Sequence, residues 1–189
     1  MVATGYYLGY LSSIEVVNLD PSTPNLVCDN LPDFPNSLQG GIGHLFNGTT
    51  PIIAAGYKPF EDTYECFALK DGAWKQISSL STQRQYASSV LVPLENENEV
   101  IIVTGGRHLD NLNSVESFNG MDWEQGMFSN MPYKVYQHCL VKINSTTLLS
   151  IGGVQSGGVA NTNLYQHEEN PSLKIEVPNT YFYNMHDNQ

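Results

Sequence analysis

The stretch "VIIVTGGR", Val100 to Arg107, runs from the β-favouring residues Val100 to Thr104 into two adjacent glycines and then a cation. Branched side chains stiffen the backbone towards a pleated strand, and paired glycines permit the sharp turn that ends one. A short continuous apolar run closed by a turn signal is the pattern of a buried strand.

The same stretch recurs. "MVATGYY" stands at Met1–Tyr7, "IIAAGYK" at Ile52–Lys58 and "LLSIGGV" at Leu148–Val154. Aligned on the first glycine, the copies fall at Gly5, Gly56, Gly105 and Gly152, a period of about 50 residues, which marks a repeat architecture. A second element keeps this register: "IEVVNL" from Ile14, "YECFAL" from Tyr64 and "VESFNG" from Val115 each carry a glutamate at the second position. Glu15, Glu65 and Glu116 are thereby read as equivalent. A tryptophan follows the last two, Trp74 in "DGAWKQI" and Trp123 in "GMDWEQG". A loop then leads into a further strand, "LQGGIGHLF" near Leu38, "QYASSVLV" near Gln85 and "VYQHCLVKI" near Val135. Each period therefore holds four strands.

Composition limits what such strands can serve. The 189 residues include 8 Lys+Arg against 19 Asp+Glu, a net charge of -11, which argues against a nucleic-acid backbone or an anionic membrane surface. Neutral or basic partners fit that charge better. Hydrophobic content of 41% with 16 Gly and 10 Pro suits a globular β fold, and no long helical periodicity appears. No apolar run reaches bilayer-spanning length, and "MVATGYYLGYLSS" lacks the charged start of a signal peptide. Cys28, Cys66 and Cys139 lack zinc-ligand spacing and read as small buried thiols. Their odd count leaves open one bridge with a thiol over, or a partner cysteine outside the chain.

The order of glycine doublet, glutamate strand, tryptophan and a loop into "TQRQYASSVLV" resembles the kelch repeat, most clearly over Gln85–Gly126. The resemblance covers nearly the whole chain. It implies an all-β, kelch-type β-propeller in which each repeat forms one four-stranded blade. The blades would span residues 1–37 (partial), 38–84, 85–134 and 135–189 (partial). Propellers close with about four to eight blades. An incomplete arc of about four blades, two complete and two partial, therefore implies a fragment whose first partners are the remaining blades. Within it Gly5, Gly56, Gly105, Gly106, Gly152 and Gly153 would shape turns, Trp74 and Trp123 would fill the wedge between blades, and the glutamates would satisfy loop amides. There are departures: tyrosine replaces the second glycine at Tyr6 and Tyr57, and the first repeat lacks the tryptophan. Tyrosine resists positive φ, so those two turns are expected to differ in shape. Only the second repeat supplies the arginine-bearing loop, at Arg84.

In an up-and-down blade the loops after the second and fourth strands share one face. That face is expected to carry the candidate binding residues Tyr57, Phe60, Arg84, Arg107 and His108, arginine and aromatic side chains being enriched at binding hot spots. It would also carry the linker residues Asp33 and Tyr133 and a long polar loop, 154–179, with Gln155, His167, Glu168 and Glu169. After that loop, "TYFYNMHDNQ" at Thr180–Gln189 reads as the third strand of the last blade. The sequons "NGT" at Asn47 and "NST" at Asn144 fall in first turns on the opposite face and are candidate glycosylation sites, although both are also good hairpin turns. The sequons and a tyrosine- and asparagine-rich surface favour an extracellular home. The missing signal sequence and odd cysteine favour the cytoplasm.

No constellation points to catalysis. His44, His108, His138, His167 and His186 show no helical metal spacing, the glycines open no phosphate-binding helix, and no serine lies in a nucleophile elbow. His44 and His138 recur near corresponding first-strand positions, which suggests packing. The expectation is a non-catalytic protein-interaction module without metal, cofactor or catalytic residue. The alternatives are a propeller enzyme of the copper-radical oxidase or sugar-acting type, or a carbohydrate-binding module. Copper would need histidines and tyrosines with a neighbouring cysteine, and Tyr136, His138 and Cys139 come nearest to that set.

Overall fold

Backbone alternation decides this fold, because a strand sends successive side chains to opposite faces. The computed structural model describes residues 12–17, 28–93, 99–143, 147–155 and 163–166. A first ladder pairs β1 (Ile14–Val17) with β2 (Cys28–Leu31). The next repeat holds β3 (Ile42–Phe46), β4 (Thr50–Ala54), a small hairpin of β5 (Tyr57–Lys58) and β6 (Glu61–Asp62), then β7 (Cys66–Lys70) and β8 (Ala73–Ile77). The repeat after it has the same parts: β9 (Ser88–Pro93), β10 (Glu99–Thr104), the hairpin β11 (Arg107–His108) and β12 (Asp110–Asn111), β13 (Val115–Phe118) and β14 (Trp123–Gln125). Last come β15 (Val135–Tyr136), β16 (Cys139–Lys142), β17 (Thr147–Ile151), β18 (Val154–Gln155) and β19 (Asn163–Gln166).

The main ladders are antiparallel meanders, β3-β4-β7-β8 and β9-β10-β13-β14, followed by the three-stranded β16-β17-β19. The second strands of the two four-stranded ladders, β4 and β10, are buried on both faces. In β10, Ile101 and Val103 join a core with Ile52, Ala54 and Phe118, whereas Val100 and Ile102 join another with Leu140 and Leu148. In β4, Ile53 turns the other way and packs with Ile14, Phe34, Leu38 and Phe67. The four ladders are thus stacked in series through three apolar layers. Each fully buried Val or Ile contributes about 1.5–3 kcal/mol. The first strands adjoin one another, β9 lying beside both β3 and β16.

The tryptophans occupy layers between ladders. Trp123 is buried against Phe118, with ring centroids 5.3 Å apart. Trp74 packs edge-on against Phe34, and its indole N–H donates to the Pro32 carbonyl at 2.8 Å.

The ladder register corrects three sequence expectations. The turn after β4 is not differently shaped: Ala55 (φ 59) and Gly56 (φ 108) repeat Gly105 (φ 57) and Gly106 (φ 97), and Gly152 (φ 68) and Gly153 (φ 90). Gly56 therefore matches Gly106, and alanine, with the smallest L side chain, takes the left-handed position. Glu65 is not equivalent to Glu116: its carbonyl accepts from Ala55 N as that of Ser114 accepts from Gly105 N, so Glu65 matches Ser114. The two glutamates are two residues out of step, and the β5–β6 hairpin conceals one of these in a count from the glycine, because its tip has two residues where β11–β12 has only Leu109. The third strand of the last ladder is β19, inside the expected long loop 154–179, at the same distance from Gly153 as Cys66 is from Gly56. Gly5, Asn144, His167, Glu168, Glu169, His186 and Thr180–Gln189 lie outside the described residues, as does the side chain of Glu15.

Candidate functional site

Arg84 does not belong to the exposed loop face. It is fully buried, and its guanidinium forms an ion pair with the equally buried Glu116 at 2.5 Å. The same group donates to the Gly105 carbonyl at 2.9 Å and to Ser114 Oγ at 3.0 Å. Glu116 also accepts from the amides of Ser81 at 2.7 Å and Thr82 at 3.2 Å, so it satisfies the linker backbone of the preceding sheet. Desolvation pulls the Arg84 pKa down from its ordinary value, with the Glu116 carboxylate opposing the shift. The physical reason for the misplacement is positional: the linker residue that accepts from the doublet amide turns inwards. In the next linker that residue is Val135, which is buried, and Leu38, which precedes the Gln39 bridge as Arg84 precedes that of Gln85, is buried too.

The other four predicted residues come together. The backbone of Gln39 bridges to Tyr57, and that of Gln85 to Arg107, so each small hairpin stands upright beside its linker. A cavity of about 540 Å³ lies between the hairpins β5–β6 and β11–β12, and Tyr57, Phe60, Arg107 and His108 all line it. Gln83, Tyr86, Glu61 and Asp62 complete its polar wall. His108 Nδ1 lies 2.8 Å from Asp62 Oδ2 and so ties one hairpin to the next. The other Asp62 oxygen, Oδ1, is buried without a partner.

Apolar side chains crown the rim. Phe60 at the tip of one hairpin is 95% exposed with φ 80, and Leu109 at the tip of the other is 91% exposed with φ 55. Left-handed backbone at a non-glycine residue costs energy, and these two exposed tips recover none of it by burying their side chains. Leu109, Glu61, Asp62 and Gln83 were missed in the sequence reading. The signal for Leu109 was present: "PFED" and "HLDN" each set one apolar residue before an acid at matching places.

The corresponding place between β11–β12 and β15–β18, the second groove, is bridged at its surface by the chain's own residues. Lys134 Nζ pairs with Asp110 at 2.8 Å, Asn111 Nδ2 donates to the Val154 carbonyl at 3.5 Å, and the Arg107 guanidinium lies over the Tyr136 ring at 5.8 Å. The hydrogen bond from Lys134 holds the Asp110 carboxyl below its ordinary pKa.

At the opposite end of the strands, exposed Asn47 (φ 48) and Gly48 (φ 67) form the turn joining β3 to β4. Two histidines bridge ladders: His44 Nε2 to Ser89 Oγ and His138 Nε2 to Thr104 Oγ1, both at 2.8 Å. They are not register equivalents, since His44 lies within β3 and His138 precedes β16. Of the described cysteines, Cys66 is buried, its thiol pushed up to about 12 by desolvation, and Cys139 is exposed. Among the described residues no three His, Cys, Asp or Glu gather as a metal site, and no helix is long and apolar enough to cross a membrane.

No protein family and no curated protein matches the sequence. The structure is similar to that of YjhT, with a TM-score of 0.61 and 17% identity over 79% of this chain. The match covers 48% of YjhT, so the chain spans about half the length of that protein. This likeness concerns the fold alone.

Proposed function

We propose that the chain is an arc of a kelch-type β-propeller whose groove between β5–β6 and β11–β12 binds a protein partner without acting on it chemically. Serial stacking of meander sheets, with first strands side by side, supports the arc. Asn47, at the far end of the strands, would leave the groove free if it carried a glycan. The observation that carries the binding reading is the pair of apolar tips, Phe60 and Leu109, held exposed in left-handed turns on either side of one cavity. Covering each tip in a complex would contribute about 1.5–3 kcal/mol, the scale of an interface hot spot.

The test is photo-crosslinking from benzoylphenylalanine placed at position 109, or as a control at Met121, which is 77% exposed at the turn before β14. Extract of the source cells should yield polypeptide adducts from position 109 that disappear when Phe60→Ser is added. Identical adducts from both positions, or adducts indifferent to Phe60→Ser, would overturn the reading.

A further inference from the structure

The repeat supplies its own template for what enters the groove. Ladder pairing makes Glu61, opposite Lys58, the counterpart of Asp110, opposite His108. The linker bridges likewise make Gln83 the counterpart of Lys134. Where the second groove holds the Asp110–Lys134 ion pair, the first therefore has a carboxylate and a neutral amide in its lining.

Nothing among the described residues neutralises Glu61. The cation of its own hairpin, Lys58, forms an ion pair with Glu65 instead. Arg107 lines the cavity but carries its guanidinium over Tyr136, towards the second groove. His108 is engaged by Asp62, whose second oxygen has no partner. Tyr57, Tyr86 and Phe60 line the same space, and an aromatic lining suits a cation as well as an apolar stem. The net charge of -11 draws basic partners towards the chain.

We infer that the groove takes an arginine or lysine side chain from the partner, its charged head beside Glu61 and Gln83, as Lys134 stands beside Asp110. This inference rests on the partner-binding reading and names the chemistry that would be recognised.

The test titrates the 189-residue chain, isotopically labelled, with two capped alanine pentapeptides carrying a central arginine or a central citrulline. The arginine peptide should shift the amide signals of Glu61 and Gln83 and bind about fivefold more tightly than its neutral isostere. Glu61→Gln should abolish that preference. Gln83→Lys, which installs the internal cation of the second groove, should weaken arginine binding by about fivefold while leaving the remaining spectrum intact. Equal affinity for the two peptides, no response to either, or undiminished binding by the Gln83→Lys chain would overturn the inference. Adducts from position 109 depend on Phe60 and not on Glu61, so the partner-binding reading and this one fail separately.

Discussion

His138 is 8% exposed, with Nε2 on Thr104 Oγ1 and Nδ1 buried without a partner. Protonating Nδ1 would bury an N–H that has no acceptor, and desolvation accordingly pushes the pKa from the ordinary 6.5 down to about 4. The unfolded chain therefore takes up this proton first as pH falls. Stability supplied by the neutral ring is complete above the unfolded pKa and is lost progressively from about 6.5 towards about 4. Between pH 7 and pH 5, above the ordinary carboxylate range, the loss should reach roughly 2 kcal/mol. Urea unfolding of the wild-type chain and of His138→Gln at both pH values checks this, and equal losses would show that another group is responsible. Arg84 shows the same physics from the charged side. A cation withdrawn from water persists because Glu116, three carbonyls and a hydroxyl receive it. The sequence offers an arginine in a polar loop in both cases, and only the direction of its Cα–Cβ bond separates a surface anchor from a buried ion pair.

At the scale of elements, strands and repeat were legible because both rest on periodicity. "VIIVT" announces a buried strand, and the ladder adds that its alternate residues serve two different cores. Register was not legible to the residue, because a hairpin tip longer by one brings Glu65 and Glu116 to nearly equal distances from their glycines although the ladder sets them two positions apart. The doublet turn tolerates alanine at Ala55, so positive φ alone does not demand glycine there. Space does the rest. A Cβ on Gly105 would stand 2.4 Å from the Val135 carbonyl oxygen, whereas one on Gly152 would meet nothing within 4 Å. Gly105→Ala should therefore cost about 3 kcal/mol or more, and Gly152→Ala only about 1 kcal/mol. Chemical denaturation of the two variants separates the causes: equal losses would mean that backbone conformation, and not the neighbouring carbonyl, fixes glycine at the turn.

For the whole molecule, the consequence of stacking sheets in series is that no single core closes over every strand. Four of the five predicted binding residues could be gathered from sequence, because loops on one face follow from strand alternation. The cavity between them could not, since it depends on how far one hairpin stands from the next. The same arrangement sets a gradient of protection. β4 and β10 are paired on both edges and covered on both faces, whereas β8 and β14 end their sheets with one edge unpaired by any strand among the described residues. Lys75 and Asp71 form an exposed ion pair at β8 and add little there. Amide hydrogens of Ile52–Ala54 and Val100–Val103 should consequently exchange at least about a hundredfold more slowly than those of Trp74–Gln76 and Glu124. Opening of an outer strand exposes one layer, but opening of β10 must separate it from both flanking layers at once. Hydrogen exchange followed by mass spectrometry or nuclear magnetic resonance reads this directly. Uniform protection across β8 and β10 would mean that the sheets open as one body, which would refute the layered account of stability.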